Sequence, residues 1–274
     1  MSATKPRDEM SFLDHLEELR WHLIRSVLAI VIIASIAFVF KDFIFDVLLF
    51  GPKKKSFITY RWFCSLSQTL GQGSSFCLEE LPFRIQSRTV AGQFSAHLWT
   101  SVLAGFIISF PYIIYEFWKF VSPGLYEKER KNARGFIFIA SLLFFIGVLF
   151  GYYIVTPLSI NFLGNYSVSS EIFNDFDLSS YIGLLRASVL ASGIIFELPI
   201  IIYFLTRVGI VSPDFLKKNR KISLVVVLSL SAIITPPDVV SQIIVSIPIL
   251  ILYEVSIVIA KIVTRNQDKA LTNV

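Results

Sequence analysis

The sequence predicts an all-α integral membrane protein: six transmembrane helices, both termini cytoplasmic (N-in/C-in), with a short fifth span. Three observations predict it. The composition is 54% hydrophobic and 16% charged with 26 Phe, and the mean hydropathy is +0.68, more apolar than a soluble domain of this length carries. Apolar runs recur at the length that crosses a bilayer core of roughly 30 Å. Lys and Arg are distributed unevenly between alternate connections, which sets orientation.

The elements follow in order. Residues 1–22 form a cytoplasmic tail with an amphipathic helix, and residues 23–261 the six-span membrane domain. The spans are Leu23–Phe40, Leu98–Phe120, Gly135–Leu158, Tyr181–Leu205, Ile222–Ile234 and Val239–Ile259. The fifth is short for an average bilayer, so its ends borrow Lys221 and Thr235 or the bilayer thins around it. Thr235-Pro236-Pro237-Asp238 then turns the chain back, because adjacent prolines cannot continue a helix. Seventeen of the 25 Lys and Arg fall in the two tails and the second and fourth loops; seven fall in the first loop, 41–97, and Arg186 lies inside the fourth span. The first loop is therefore extracytoplasmic. Residues 262–274 read as a disordered cytoplasmic tail. No cleavable signal peptide is expected, since the first apolar run follows a highly charged segment and is too long for an h-region. The net charge of +5 follows from topology, and no nucleic-acid partner is expected.

Near the N-terminus, Ser11-Phe12-Leu13-Asp14 fits a capping box. Phe12, Leu16, Leu19 and Leu23 repeat at helical spacing, and His15, Glu18, His22 and Arg25 line the other face. The plainer reading of that face is a solvated surface with weak i,i+3 and i,i+4 pairs. It is also a second acidic cluster on the same membrane side as Glu127 and Glu129 in the basic second loop, FVSPGLYEKERK (Phe120–Lys131). Acidic residues add little to topology, and paired carboxylates suit a guanidinium fork. The alternative for Glu129 is an exposed salt bridge to Arg130 or Arg134, worth little. Cys64 and Cys77 both lie in the first loop, in a compartment that permits a disulfide. A bridge would add roughly 2–4 kcal/mol; two unpaired thiols are the alternative.

Four motifs together carry a family resemblance: HLEELR (His15–Arg20), FVSPGLYEKER (Phe120–Arg130), FELP (Phe196–Pro199) and ITPPDVVSQ (Ile234–Gln242). In order, spacing and topology they resemble the TatC family, the polytopic core of the twin-arginine protein translocase, from about Ser11 to Lys261. The resemblance implies a bent, concave bundle in the cell inner membrane that acts as receptor and scaffold. It implies binding of twin-arginine signal peptides of folded cargo through Glu18 and Glu129, with Arg20 and Phe120 at further recognition positions. It implies assembly with TatA/TatB-type single-span partners, self-association, and transport driven by the proton-motive force. Glu17 and Glu127 are additional carboxylates beside the matched ones.

Glu197 lies near the middle of the fourth span, where a charge costs at least ~2.5 kcal/mol, and Pro199 predicts a kink there. A protonated Glu bonded to a neighbouring helix and a polar spot on a partly wet face are the two readings. The resemblance implies the second, with Glu197 meeting polar groups of partner helices. Glu254 poses the same question more weakly, with snorkelling or a bond to Ser256 or Tyr253 as answers. Asp238 reads as the N-cap of the sixth span, and Ser241 and Gln242 as groups that can bond an incoming helix.

No enzyme, catalytic residue, cofactor or metal site is expected: there is no phosphate-cradling loop and no HExxH or GxSxG pattern. The rival from another class is an ion- or proton-coupled secondary transporter using Glu197. The two halves show no repeat to support it.

Overall fold

The structure is a computed structural model that describes residues 12–69, 81, 83–122, 133–169, 171–172, 174–236 and 238–272. It divides into two compact units: one holds the residues up to Lys41 together with His97–Leu142, the other Asp42–Ala96 together with Leu143–Val274. Each is packed on its own contacts.

The first unit is built on two long helices, α1 (Phe12–Val39) and α3 (Gly92–Val121), joined through the other unit by the first loop and its helix α2 (Ile58–Thr69). Both long helices are apolar and long enough to cross a membrane. They approach closely at Gly105, where a Cβ would meet the Ile30 carbonyl oxygen at 2.6 Å and the Ala34 nitrogen at 2.8 Å. Small residues at a helix crossing are how membrane helices gain van der Waals contact without a hydrophobic drive between them. The start of α4 (Ala133–Phe150) adds Phe136, whose ring lies 4.5 Å from that of Trp118 on α3.

α1 begins by Phe12, where the sequence predicts it; Ser11 lies outside the described residues. Its two faces are not divided by burial as in a soluble amphipathic helix. Leu16, Leu19 and Leu23 are exposed, while His22 and Ser26 are buried. Along the polar stripe, His22 is buried and Glu18 half-buried, while His15 and Arg25 stay exposed. Lipid-facing surface tolerates leucine at no cost, whereas polar groups at membrane depth need protein partners.

In the second unit α4 runs through a π-helical stretch, Gly151–Val155, into α5 (Thr156–Asn165). Gly147 and Gly151 lie one turn apart on this rod. A Cβ at either would fall 2.6 Å from the Ser192 carbonyl oxygen or 2.7 Å from that of Ser188, both on α6 (Leu178–Phe196). The fourth span breaks at Glu197 and resumes as α7 (Leu198–Arg207). Pro199 has no N–H for the carbonyl one turn earlier, so Glu197 closes α6 through its N–H to Ile194 (3.1 Å), and its own carbonyl accepts from Ile200 and Ile201. The expected kink is this break.

Ser212 caps α8 (Pro213–Lys218), accepting from the Phe215 N–H. α9 (Arg220–Ile234) follows, with 15 residues, or about 22 Å. It ends at Thr235, whose N–H and hydroxyl both donate to the Ser231 carbonyl. Among the described residues, five helical stretches are long and apolar enough to span, at His15–Val39, Gly92–Val121, Gly135–Asn165, Leu178–Arg207 and Val239–Gln267. α9 falls below that length.

The last helix, α10 (Val239–Thr272), packs along α7. Ile202, Leu216, Tyr253, Ile257 and Ala260 form a shared apolar core. The tail expected to be disordered is helical to Thr272. The reason is continued packing: Val263 is buried, and the Gln267 amide donates to the Arg207 carbonyl at 3.0 Å.

One feature departs from an all-helical chain. Strands β1 (Arg84–Gln86) and β2 (Asp175–Asp177) pair in parallel, Ile85 opposite Phe176. The Arg88 N–H and the Ser179 N–H both donate to the Asp177 carboxylate, so the end of the first loop is pinned to the N-cap of α6.

Candidate functional site

The first unit gathers residues that the N-terminal motif singles out. α1 places His15, Glu18 and His22 on one stripe at three- and four-residue steps. Phe120, in the last turn of α3, stacks on His15 with ring centroids 4.5 Å apart and meets His22 edge-on at 6.3 Å. Glu18, between the two histidines in sequence, is half-buried, and no ion pair or side-chain hydrogen bond of its carboxylate is found among the described residues. Arg20 is exposed on the same helix. Glu127 and Glu129 lie outside the described residues.

A carboxylate that sequence reasoning missed lies one turn before Phe120. Glu116 is only 2% exposed. Its Oε2 accepts from His22 Nδ1 at 2.6 Å, with Arg25 at 3.6 Å; its Oε1 faces Lys119 at 3.6 Å. The Tyr112 hydroxyl also bonds to it, and Lys119 lies 4.2 Å from the centre of the Tyr115 ring. A carboxylate offers only lone pairs, so His22 carries its proton on Nδ1. The available signal was Glu116 and Lys119 at i,i+3 inside an apolar helix, where an acidic residue needs a partner.

In the second unit Glu197 is 8% exposed, and neither carboxylate oxygen has a hydrogen-bond partner among the described residues. The alternative of a bond to a neighbouring helix is absent there. Gln242 does find one: its amide donates to the Leu228 carbonyl of α9 at 3.0 Å. Asp238 caps α10 as expected, accepting from the Ser241 N–H (2.8 Å) and hydroxyl (2.6 Å). These bonds hold its carboxyl below the usual aspartate range against the opposing effect of burial. Glu254 is corrected: it pairs with Arg220 at 2.7 Å, whereas Ser256 and Tyr253 bond to the carbonyls of Leu252 and Leu216. Cys64 sits on α2 and Cys77 lies outside the described residues; no free cysteine is found among those described. No cluster of metal-ligating side chains occurs among the described residues.

Long apolar helices with polar groups turned inward define a multi-pass membrane protein. The family model for the Sec-independent protein translocase protein (TatC) matches residues 14–248. A TatC from Blattabacterium sp. subsp. Periplaneta americana is 47% identical over 262 residues, covering 95% of this chain and 98% of that protein. One from Desulforapulum autotrophicum is 36% identical, covering 97% and 89%. A crystal structure described as the twin arginine translocase receptor TatC superposes with a TM-score of 0.67 at 32% identity, covering 91% of this chain and 99% of that one. The chain belongs to the TatC family of protein translocase components.

Proposed function

We propose that this chain is the receptor and scaffold of a twin-arginine translocase, binding the arginine pair of export signal peptides at its cytoplasmic face. The observation that carries this reading is the half-buried Glu18, without a partner among the described residues, between two histidines that hold Phe120. Glu18 and Glu129 each take a guanidinium, and Arg20 and Phe120 complete the contact. A guanidinium fork matches a carboxylate in two hydrogen bonds where an ammonium cannot. The solved relative described as a receptor supports the reading.

The topology we assign is six spans with both termini cytoplasmic in the inner membrane. α9 is the short fifth span, within a bent bundle whose concave face carries Glu197 and Gln242. There single-span helices of the TatA/TatB type, and further copies of this chain, assemble for export driven by the proton-motive force. Cys64 and Cys77 form a disulfide in the extracytoplasmic loop. The chain itself performs no covalent chemistry and takes no cofactor. Glu197, without a hydrogen-bond partner among the described residues, also fits a proton-coupled secondary transporter; proton-dependent solute uptake by vesicles, lost in Glu197→Gln, would favour that reading instead.

The test is binding of a labelled twin-arginine signal peptide to the protein in nanodiscs, with a twin-lysine peptide as control. The arginine peptide binds, and Glu18→Ala and Glu129→Ala each abolish the preference over lysine. Binding that ignores both substitutions removes the carboxylates from the site.

A further inference from the structure

We infer that Glu116 is a positioning residue for signal-peptide recognition: through His22 it holds the Phe120 ring against the turns of α1 that carry Glu18. The inference rests on the receptor reading above and adds to it a residue on another helix, outside the four motifs.

The chain of contacts is short. Glu116 is buried on α3 and its carboxylate takes the His22 proton at 2.6 Å. That bond fixes both the tautomer and the ring orientation of His22. The His22 ring then meets Phe120 edge-on, interplanar angle 65°, while His15 stacks on Phe120 at 23°. Phe120 is one turn from Glu116, so a single α3 face supplies both the clamp and the ring it clamps. On α1, Glu18 lies one turn from each histidine, so whatever sets the two imidazoles sets the backbone that presents Glu18.

Arg25 and Lys119 stand 3.6 Å from the two Glu116 oxygens, with their side chains about half exposed. They offset the charge of the carboxylate at a distance longer than a direct hydrogen bond. The short bond is reserved for His22. A carboxylate serving only to neutralise basic residues would sit closest to Arg25, whose fork matches it best. Here the closest partner is the residue that touches Phe120.

The experiment measures the dissociation constant of the labelled twin-arginine peptide for the full chain in nanodiscs. The variants are Glu116→Ala, Glu116→Gln, Phe120→Leu and the double variant Glu116→Ala/Phe120→Leu, each confirmed monodisperse. Glu116→Ala weakens binding about tenfold, the scale of losing a hydrogen bond to a charged group. Glu116→Gln keeps an oxygen opposite His22 and recovers binding to within roughly threefold of the parent. In the Phe120→Leu background, Glu116→Ala adds no further loss, because both act through one ring. Unchanged binding in Glu116→Ala overturns the inference; so does equal loss in Ala and Gln, or losses that multiply in the double variant. A parent protein that fails to prefer the arginine peptide over the lysine peptide overturns the receptor reading itself, and this inference with it.

Discussion

Glu116 in the first unit and Glu197 in the second are both buried carboxylates within membrane-length helices, yet their surroundings are opposite. Glu116 is met by an imidazole, a guanidinium, an ammonium and a phenol. Glu197 is met by none among the described residues. Burial costs both carboxylates similarly, so the difference lies in what the chain supplies. Where the chain supplies partners, the carboxylate belongs to the fold and shapes what lies beside it. Where no partner is found among the described residues, the fold alone does not account for the carboxylate. A buried acidic residue in a membrane protein is thus read from its partners, not its depth.

The largest expected effect breaks the first half of the comparison. Glu116→Ala leaves the His22 Nδ1–H without its acceptor, while Arg25 and Lys119 remain half exposed to water, and losing a hydrogen bond to a charged group costs about 1.5–3 kcal/mol. A marked drop in the thermal midpoint of the purified protein is the expected result. A drop no larger than that of an ordinary surface change would mean the network contributes nothing to the first unit. Next in size is Gly147→Val. Its new carbon atoms must displace the Ser192 carbonyl, 2.6 Å from the first of them, and overpacking of this kind costs about 1–3 kcal/mol. That test locates the stability of the second unit in close backbone contact instead of in its carboxylate. Glu197→Leu should therefore change stability by no more than ~1 kcal/mol, or raise it, since it removes a buried polar group with nothing to lose. Loss of export in a cell-based assay at unchanged stability would place the role of Glu197 in an external contact. A midpoint drop as large as that of Glu116→Ala would reveal a partner within the chain.

The same contrast explains what the sequence makes legible. Apolar runs report lipid-facing surface directly, so the long helices and the break before Pro199 could be read residue by residue. The four motifs located Glu18, Phe120 and Glu197. Glu116 was only half legible: Lys119 at i,i+3 within YEFWKF was a local signal, but nothing in that run pointed to the other helix. His22 and Arg25 lie 94 and 91 positions earlier on α1, a pairing that only the fold creates. For the same reason the three-residue strands β1 and β2 gave no alternation to detect. The face of α1 was legible as a stripe but not in its burial: period identifies a two-faced helix, and only packing against α3 decides that His22 is buried while His15 and Arg25 stay exposed.

Asp177 supplies the third case, a carboxylate that is well partnered but only partly buried. The Arg88 N–H, then the Ser179 N–H, hold its carboxyl below the usual aspartate range. Because the folded value is depressed, the interaction stabilises the pinned loop at pH above the unfolded aspartate value of about 3.9, and is lost as pH falls through the folded value. Hydrogen exchange at the Arg88 and Ser179 amides should therefore quicken, relative to the intrinsic rate, as the pH is taken from 6 to about 3. In Asp177→Asn the same amides should be less protected at pH 6 and insensitive to that change. The effect should be local and the smallest of the four, since water screens and replaces these bonds. A global loss of stability in Asp177→Asn would mean that partnering, without full burial, ties a carboxylate to the fold, and the contrast between Glu116 and Glu197 would then need no reference to membrane depth.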